Sequence, residues 1–466
     1  MDIEKVELSE QDKKDFDTAK LLLERGNVDE AAGLLMAQLN KRFADPVILF
    51  YLGCCFISKK QFGMAANVFR SAISYQNDFP EALQNLGACF RATGDYIHAE
   101  EIFRAALLQA KANRLKAEIM GNIAGLYGNN GTPQKALDLY DEALKFLPGD
   151  PHLLYNTGFA HLELGNWKKG FPLYDTGFAV GQRVMREYPN VPVWDGGSLA
   201  GKRVIVWGDQ GIGDEIMSAS CIPDLMRDAK SVVFDCHPRL IRLFEKSFPG
   251  IECYGTRKTQ QVEWIHSTVA DVSISITSLM TIYRSDGNFP GTPYIKTSPA
   301  AQKGSNLRVG IAWSGGYVMT RSDKRNIDLD TLLPVLSVPG IDWYSLQYQP
   351  GAAADVASFE ERSGIHIRHF PGKVQCTEYS DTADFVSGLD LVISVCTSAV
   401  HLAGSIGKET WCLTPAKPAW RYGIKGPMPF YRSVELYRAD TDDWGPTVAR
   451  MAIDLAIRLK QRMAAE

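Results

Sequence analysis

Residues 81–107 read EALQNLGACFRATGDYIHAEEIFRAAL, and the spacing of small and large residues within them decides the fold of the first 180 residues. Gly87 is followed twelve residues later by Ala99 and four further on by Phe103. The same trio recurs as Ala19/Ala31/Leu35, Gly53/Ala65/Phe69, Ala124/Ala136/Tyr140 and Gly158/Gly170/Tyr174, with steps of 34, 34, 37 and 34 between the first members. Small residues on facing helices let the axes approach, and a large one fills the space toward the next pair. Gly26-Asn27, Gly94-Asp95 and Gly165-Asn166, seven residues after the first small position, supply turns between helices. The step of 37 predicts three extra residues in the loop around Lys111 to Arg114.

Five such units over approximately residues 13 to 182 resemble the tetratricopeptide repeat, a solenoid whose concave face is built from the first helix of each hairpin. Asn85, Asn122 and Asn156 recur two residues before the small slot on that helix. An Asn side chain can bond both N–H and C=O of an extended peptide. An asparagine ladder at the similar position of the protein O-linked N-acetylglucosamine transferases holds the substrate backbone, so the resemblance implies a protein acceptor in the groove. The alternative is that these residues only cap or space the repeats.

The full chain has 466 residues, 45% hydrophobic and 22% charged, with a net charge of −4. That length allows about three domains, and the charge gives no field to attract nucleic acid. The polar start MDIEKVELSEQDKKDF lacks the apolar core of a secretory signal, and no apolar run approaches the ~20 residues of a membrane span. A cytoplasmic protein is expected. Nine scattered cysteines with no CxxC pair read as free thiols.

After Tyr174 the repeat fades into QRVMREYPNVPVWDGGSLAGKR, which reads as a linker. Arg203 to Trp207 is then an apolar run of strand length, followed by the turn Gly208-Asp209-Gln210-Gly211-Ile212-Gly213-Asp214-Glu215 and a helical stretch. Further strands at Ser231 to Cys236 and Ile251 to Tyr254, with a helix between, imply a parallel sheet. Asp214 either caps its helix or stands at a cleft mouth as a proton acceptor. The pattern restarts at Leu307 with a strand ending in Ser314-Gly315-Gly316, and strands at Asp342 to Gln347, Ile365 to Phe370, Leu391 to Val395 and Thr410 to Leu413 follow. Two such domains place a cleft at their strand C-terminal ends. Lys324 and Arg325 either neutralise a diphosphate there or lie on a solvated loop. The strand Leu391 to Val395 delivers Cys396, Thr397 and Ser398 to a helix start, a point suited to pyrophosphate. His401, one turn on, either faces that ligand or packs.

These residues resemble bacterial glycosyltransferases that join tetratricopeptide repeats to a GT-B unit similar to the heptosyltransferases. The resemblance rests on VPVWDGGSLAGKRVIVWGDQGIGDEI, IAWSGG followed by KRNIDL, SLQ at Ser345 to Gln347, DTADFVSGLDLVISVCTSAVHLAGSIGK, and PAWR at Pro418 to Arg421. It implies an α plus α/β chain: a repeat solenoid over 1–184, then two Rossmann-like domains over 185–303 (acceptor side) and 304–466 (donor side). It implies metal-independent, inverting transfer from a nucleotide-diphosphate sugar, a co-substrate with no further cofactor, to a protein hydroxyl; some relatives modify flagellins and adhesins. Asp214 matches the family's general base, flanked by Gly211, Gly213 and Glu215 on the acceptor side. Ser314, Gly315, Lys324, Arg325, Gln347, Cys396, Thr397, Ser398, His401, Trp420 and Arg421 fall on the donor side. Cys396 stands where the family often has an Asp that holds sugar hydroxyls, so either the donor sugar differs or activity is lost. The remaining alternatives are a repeat scaffold with an inactive transferase unit and a glycan-directed enzyme. Asp328-Leu329-Asp330 imitates a metal-binding motif but precedes a helical stretch and reads as a cap, so no metal is expected.

Overall fold

The computed structural model describes residues 9–41, 45–256, 263–298, 306–316, 322–349, 351–369 and 378–465. It divides into two compact units, Met1–Ala160 and His161–Glu466.

The first unit is a run of helix hairpins: α1 (Glu10–Glu24) with α2 (Val28–Lys41), α3 (Pro46–Ser58) with α4 (Phe62–Tyr75), α5 (Pro80–Ala92) with α6 (Tyr96–Gln109), α7 (Asn113–Asn129) with α8 (Pro133–Phe146), then α9 (Pro151–Glu163). The small positions act sterically as the spacing predicts. A side chain built on Gly53 would stand 2.6 Å from the Phe69 ring, and one on Gly87 2.8 Å from that of Phe103. Ala19, Ala31, Ala65, Ala99, Ala136, Leu35, Phe69, Phe103 and Tyr140 are all buried. The extra residues of the fourth unit differ from expectation. They lengthen the first helix of its hairpin, α7 having 17 residues where α3 and α5 have 13, and Asn113 and Arg114 already lie within it.

The division between the units falls within α9, 24 residues before the boundary expected at 184/185. The second helix of the fifth hairpin, α10 (Trp167–Tyr174), belongs to the second unit. Its side chains explain why. Trp167, Phe171 and Tyr174 pack on Trp420, with ring centroids 6.2, 6.1 and 6.1 Å away, and Trp167 also meets Phe289 and Phe430.

Two parallel sheets complete this unit. The first, in order β3-β2-β1-β4, comprises β1 (Arg203–Trp207), β2 (Ser231–Asp235), β3 (Glu252–Tyr254) and β4 (Val272–Ser275). Its connections carry α11 (Ile212–Ser218), α12 (Ile222–Asp228), α13 (Ile241–Ser247) and α14 (Trp264–Ser267), and α15 (Leu279–Tyr283) follows β4. The second, in order β10-β9-β8-β5-β6-β7, comprises β5 (Leu307–Ala312), β6 (Ile341–Ser345), β7 (Ile367–His369), β8 (Leu391–Val395), β9 (Thr410–Thr414) and β10 (Val434–Arg438). Around it lie α16 (Ser322–Arg325), α17 (Leu333–Leu336), α18 (Ala352–Ser363), α19 (Tyr379–Ser387), α20 (Ser398–Ser405) and α21 (Gly445–Ala465). The chain is therefore α followed by α/β. Sequence reading missed β4 and β10. The expected domain boundary at 303/304 and the strand end at Phe370 lie outside the described residues.

The segment expected to be a linker is pinned by two buried arginines. Arg183 donates to Asp209 at 2.8 Å and to Ser275 at 2.8 Å, pairs with Asp175 and bonds Thr277. Burial opposes its charge, yet Asp209 and Asp175 outweigh that and raise its pKa. Arg186 pairs with Asp235, which also accepts from Tyr188 at 2.8 Å.

Two results follow. Gly87→Ala should lower the denaturation midpoint of the full chain, costing about 1–3 kcal/mol through overpacking on Phe103. Gly128→Ala, where an added side chain meets nothing within 4 Å, should instead gain up to about 1 kcal/mol from helix propensity. Arg183→Met, which strands the buried Asp209 carboxylate and removes the partner of the partly exposed Asp175, should destabilise the second unit by about 3–5 kcal/mol in urea titrations.

Candidate functional site

The two sheets of the second unit meet through α11 and α20. Gly213 makes that approach possible: a side chain there would stand 3.0 Å from His401 Cδ2 and 3.4 Å from Ser398 Cα. Gly213, expected on the acceptor side, is thus a helix-to-helix contact. Gly211 is the N-cap of α11 and sits 3.7 Å, measured from a built Cβ, from Asp214 Oδ2.

Asp214 does not cap its helix. Its carboxylate reaches across to the second sheet and pairs with the Arg421 guanidinium, both side chains remaining 16–18% exposed. Burial lowers the Arg421 pKa, but Asp214 reverses this and leaves it raised. Arg421 also lies over the Trp420 ring at 4.9 Å. Glu215 points the other way. It is fully buried, its carboxylate fills the space left by Gly208 and accepts from the His237 N–H at 2.7 Å. This corrects its expected place on the acceptor side: Glu215 ties the ends of β1 and β2 together.

On the second sheet, Ser314, Gln347, Thr397 and Ser398 line one pocket with Tyr348, Tyr379 and apolar neighbours such as Leu346. Gln347 Nε2 donates to Ser314 Oγ at 2.7 Å. Thr397 is the N-cap of α20, accepting from Ala399 N at 3.3 Å, and the Ser398 hydroxyl bonds that of Tyr379 at 2.8 Å. Gly315 lies against Thr397, leaving 2.7 Å for a built side chain, and its N–H donates to Asn326 Oδ1 at 2.9 Å. Arg325 Nε donates to the Gly315 carbonyl at 3.2 Å. Lys324 is exposed and pairs with Asp442 at 2.8 Å.

Three donor-side expectations change. His401 is buried, with Nδ1 3.2 Å from the Tyr431 hydroxyl and Nε2 3.3 Å from that of Tyr422. Both ring nitrogens are engaged and burial holds its pKa down at about 3, so it packs as a neutral ring and does not face a ligand. The Cys396 thiol turns toward β9, 3.7 Å from the Leu413 carbonyl and 3.8 Å from Cys412 Sγ. Buried there, it cannot take the place of a hydroxyl-binding Asp. Trp420 is buried in the aromatic cluster with α10.

Asp328 accepts from Thr331 N at 2.6 Å, as a cap does, and Asp330 pairs with Arg362. The described cysteines are free; Cys376 lies outside the described residues.

In the first unit, Asn122 accepts from Arg91 at 3.0 Å and Asn85 donates to Cys54 Sγ at 3.5 Å. Each bonds a side chain of the preceding hairpin, while Asn156 is exposed.

Residues 78–148 match the tetratricopeptide repeat. The N-terminal solenoid is a tetratricopeptide-repeat domain, a class that binds protein partners. The chain is similar to Protein FlbA of Caulobacter vibrioides, 24% identical over 454 residues that cover 84% of this chain and 75% of that protein. It is also similar to the photosystem I assembly protein Ycf3 of a Synechococcus species, 29% identical over 97 residues, 21% of this chain and 47% of that protein. Among solved structures, PilF of Pseudomonas aeruginosa is 16% identical, covers 38% of this chain and 78% of its own, and superposes with a TM-score of 0.34. TTC0263 of Thermus thermophilus, a thermophilic repeat protein, is 16% identical over 36% of this chain and 90% of its own, with a TM-score of 0.32. No described helix is long and apolar enough to cross a membrane.

The depressed pKa of His401 sets a pH dependence. The unfolded chain takes up the proton near 6.5, while the folded chain resists until about 3. The contribution is complete above pH 6.5 and is lost as pH falls from 6.5 to 3, at up to about 1.4 kcal/mol per unit. Comparing unfolding of the native chain with His401→Gln across this window should show a shallower loss in the variant.

Proposed function

We propose that this chain transfers a sugar from a nucleotide-diphosphate donor to a Ser or Thr hydroxyl of a protein held by the repeats, with its second unit acting as a GT-B pair. The observation that carries this reading is the convergence at the α11–α20 contact. Asp214 of one sheet, Arg421 of the other and the pocket bordered by Ser314, Gln347, Thr397 and Ser398 meet where the strands of both sheets end.

The residue types suit the reaction. The acceptor oxygen attacks the anomeric carbon, the bond to the diphosphate breaks, and the diphosphate leaves with the electron pair. Asp214 takes the hydroxyl proton. The Arg421 and Arg325 guanidiniums and the hydroxyls of Thr397 and Ser398 offset the charge that develops on the leaving group. Sugar recognition then comes from groups other than Cys396, whose thiol faces β9.

One observation favours a second reading, a binding scaffold without turnover: Asp214 is already engaged by Arg421. The two separate experimentally. The full chain is incubated with UDP-, GDP- and dTDP-sugars and the proteins of its source cell, following nucleotide release and the intact mass of modified proteins. Asp214→Asn should reduce transfer by about 10²–10⁴-fold while leaving the donor-induced rise in melting temperature in place. Undiminished transfer in that variant removes Asp214 as the base, and a donor-induced rise with no transfer by the native chain supports the scaffold.

A further inference from the structure

Arg91, in the last turn of α5, is a half-buried cation with no carboxylate beside it among the described residues. Its Nη1 donates to Asn122 Oδ1 of α7 at 3.0 Å, and the same nitrogen is 3.8 Å from where a Gly125 side chain would begin. Burial pulls the Arg91 pKa down, and only Tyr140 and Tyr96 oppose that pull. Glu100 pairs with Arg104 and Tyr127, Glu118 with Arg114 and Asp95 with His98.

Beside this guanidinium α7 carries no side chain at Gly125, where an added one would have only Arg91 Nη1 and the Tyr140 hydroxyl within 4 Å, each at 3.8 Å. Bare α7 backbone therefore flanks the cation, and an extended chain can lie against it. Withdrawing a guanidinium from water without a counter-charge is unfavourable, and a bidentate carboxylate restores the balance. Asn122 uses its oxygen on Arg91, which leaves its amide N–H groups to meet a peptide carbonyl.

We propose that the surface formed by α5 and α7 binds an extended peptide through one Asp or Glu side chain seated on Arg91, with Asn122 bonding the adjacent peptide backbone. The proposal rests on the protein-binding role of the repeats and is independent of the transfer reaction, so Asp214→Asn should select the same peptides as the native chain.

The test is selection from a phage-displayed library of random linear dodecapeptides on the immobilised full chain. The native chain should enrich Asp or Glu at one fixed position, Arg91→Gln should erase that enrichment, and Arg91→Glu should replace it with Lys or Arg. A selected peptide, resynthesised, should bind at least ten-fold more weakly when its acid is changed to the amide. The same change should cost nothing further against Arg91→Gln. The peptide substitution needs no altered protein, so it decides the matter even where a variant folds poorly. Failure to select any peptide, selection without an acidic position, or equal affinity of acid and amide peptides for the native chain overturns the proposal.

Discussion

The candidate site depends on one steric condition: position 213 carries no side chain. A Cβ there would stand 3.0 Å from His401 Cδ2 and 3.4 Å from Ser398 Cα, so α11 and α20 would have to give by a few tenths of an ångström beside the Asp214–Arg421 pair. Around that contact the other cross-sheet links fall into place. Tyr294 donates to the Ile216 carbonyl at 2.8 Å and lies 3.4 Å from the Tyr431 hydroxyl, and Lys246 pairs with Asp384 at 2.8 Å. His401 lies in the contact itself, a neutral ring held between two tyrosines.

The parts legible in the sequence are those whose cause is local. Gly87 and Phe103 lie 16 positions apart on two helices of one hairpin, so their steric match recurs as a period along the chain. Thr397 and Ser398 are legible because a buried strand running into a helix leaves a recognisable signature within ten residues. Asp214 stands in the same kind of signature, although the sequence leaves open whether it caps its helix. Its true partner, Arg421, lies 207 positions away.

What stayed hidden has its cause at a distance. Arg183 looked like one basic residue in a Pro- and Gly-rich linker, yet its partners lie up to 95 positions along the chain. The one available signal was the pair of basic residues at 183 and 186 among apolar neighbours, with Asp209 waiting in the β1 turn. Glu215 and Asp214 are adjacent and chemically alike. Consecutive residues of a helix point about 100° apart, and the absence of a side chain at Gly208 leaves room for the Glu215 carboxylate. The reassignment of α10 has the same origin: its aromatic residues fit the repeat pattern, but Trp420 gives them a partner outside it.

The central claim is that the ends of both sheets at the α11–α20 contact form a single donor-binding site. Hydrogen–deuterium exchange of the full chain with and without UDP-, GDP- and dTDP-sugars tests it most directly. At least one donor should slow exchange together in residues 211–216, 312–316 and 397–402. Donor binding that protects only other segments, or leaves all three unchanged, would contradict the account.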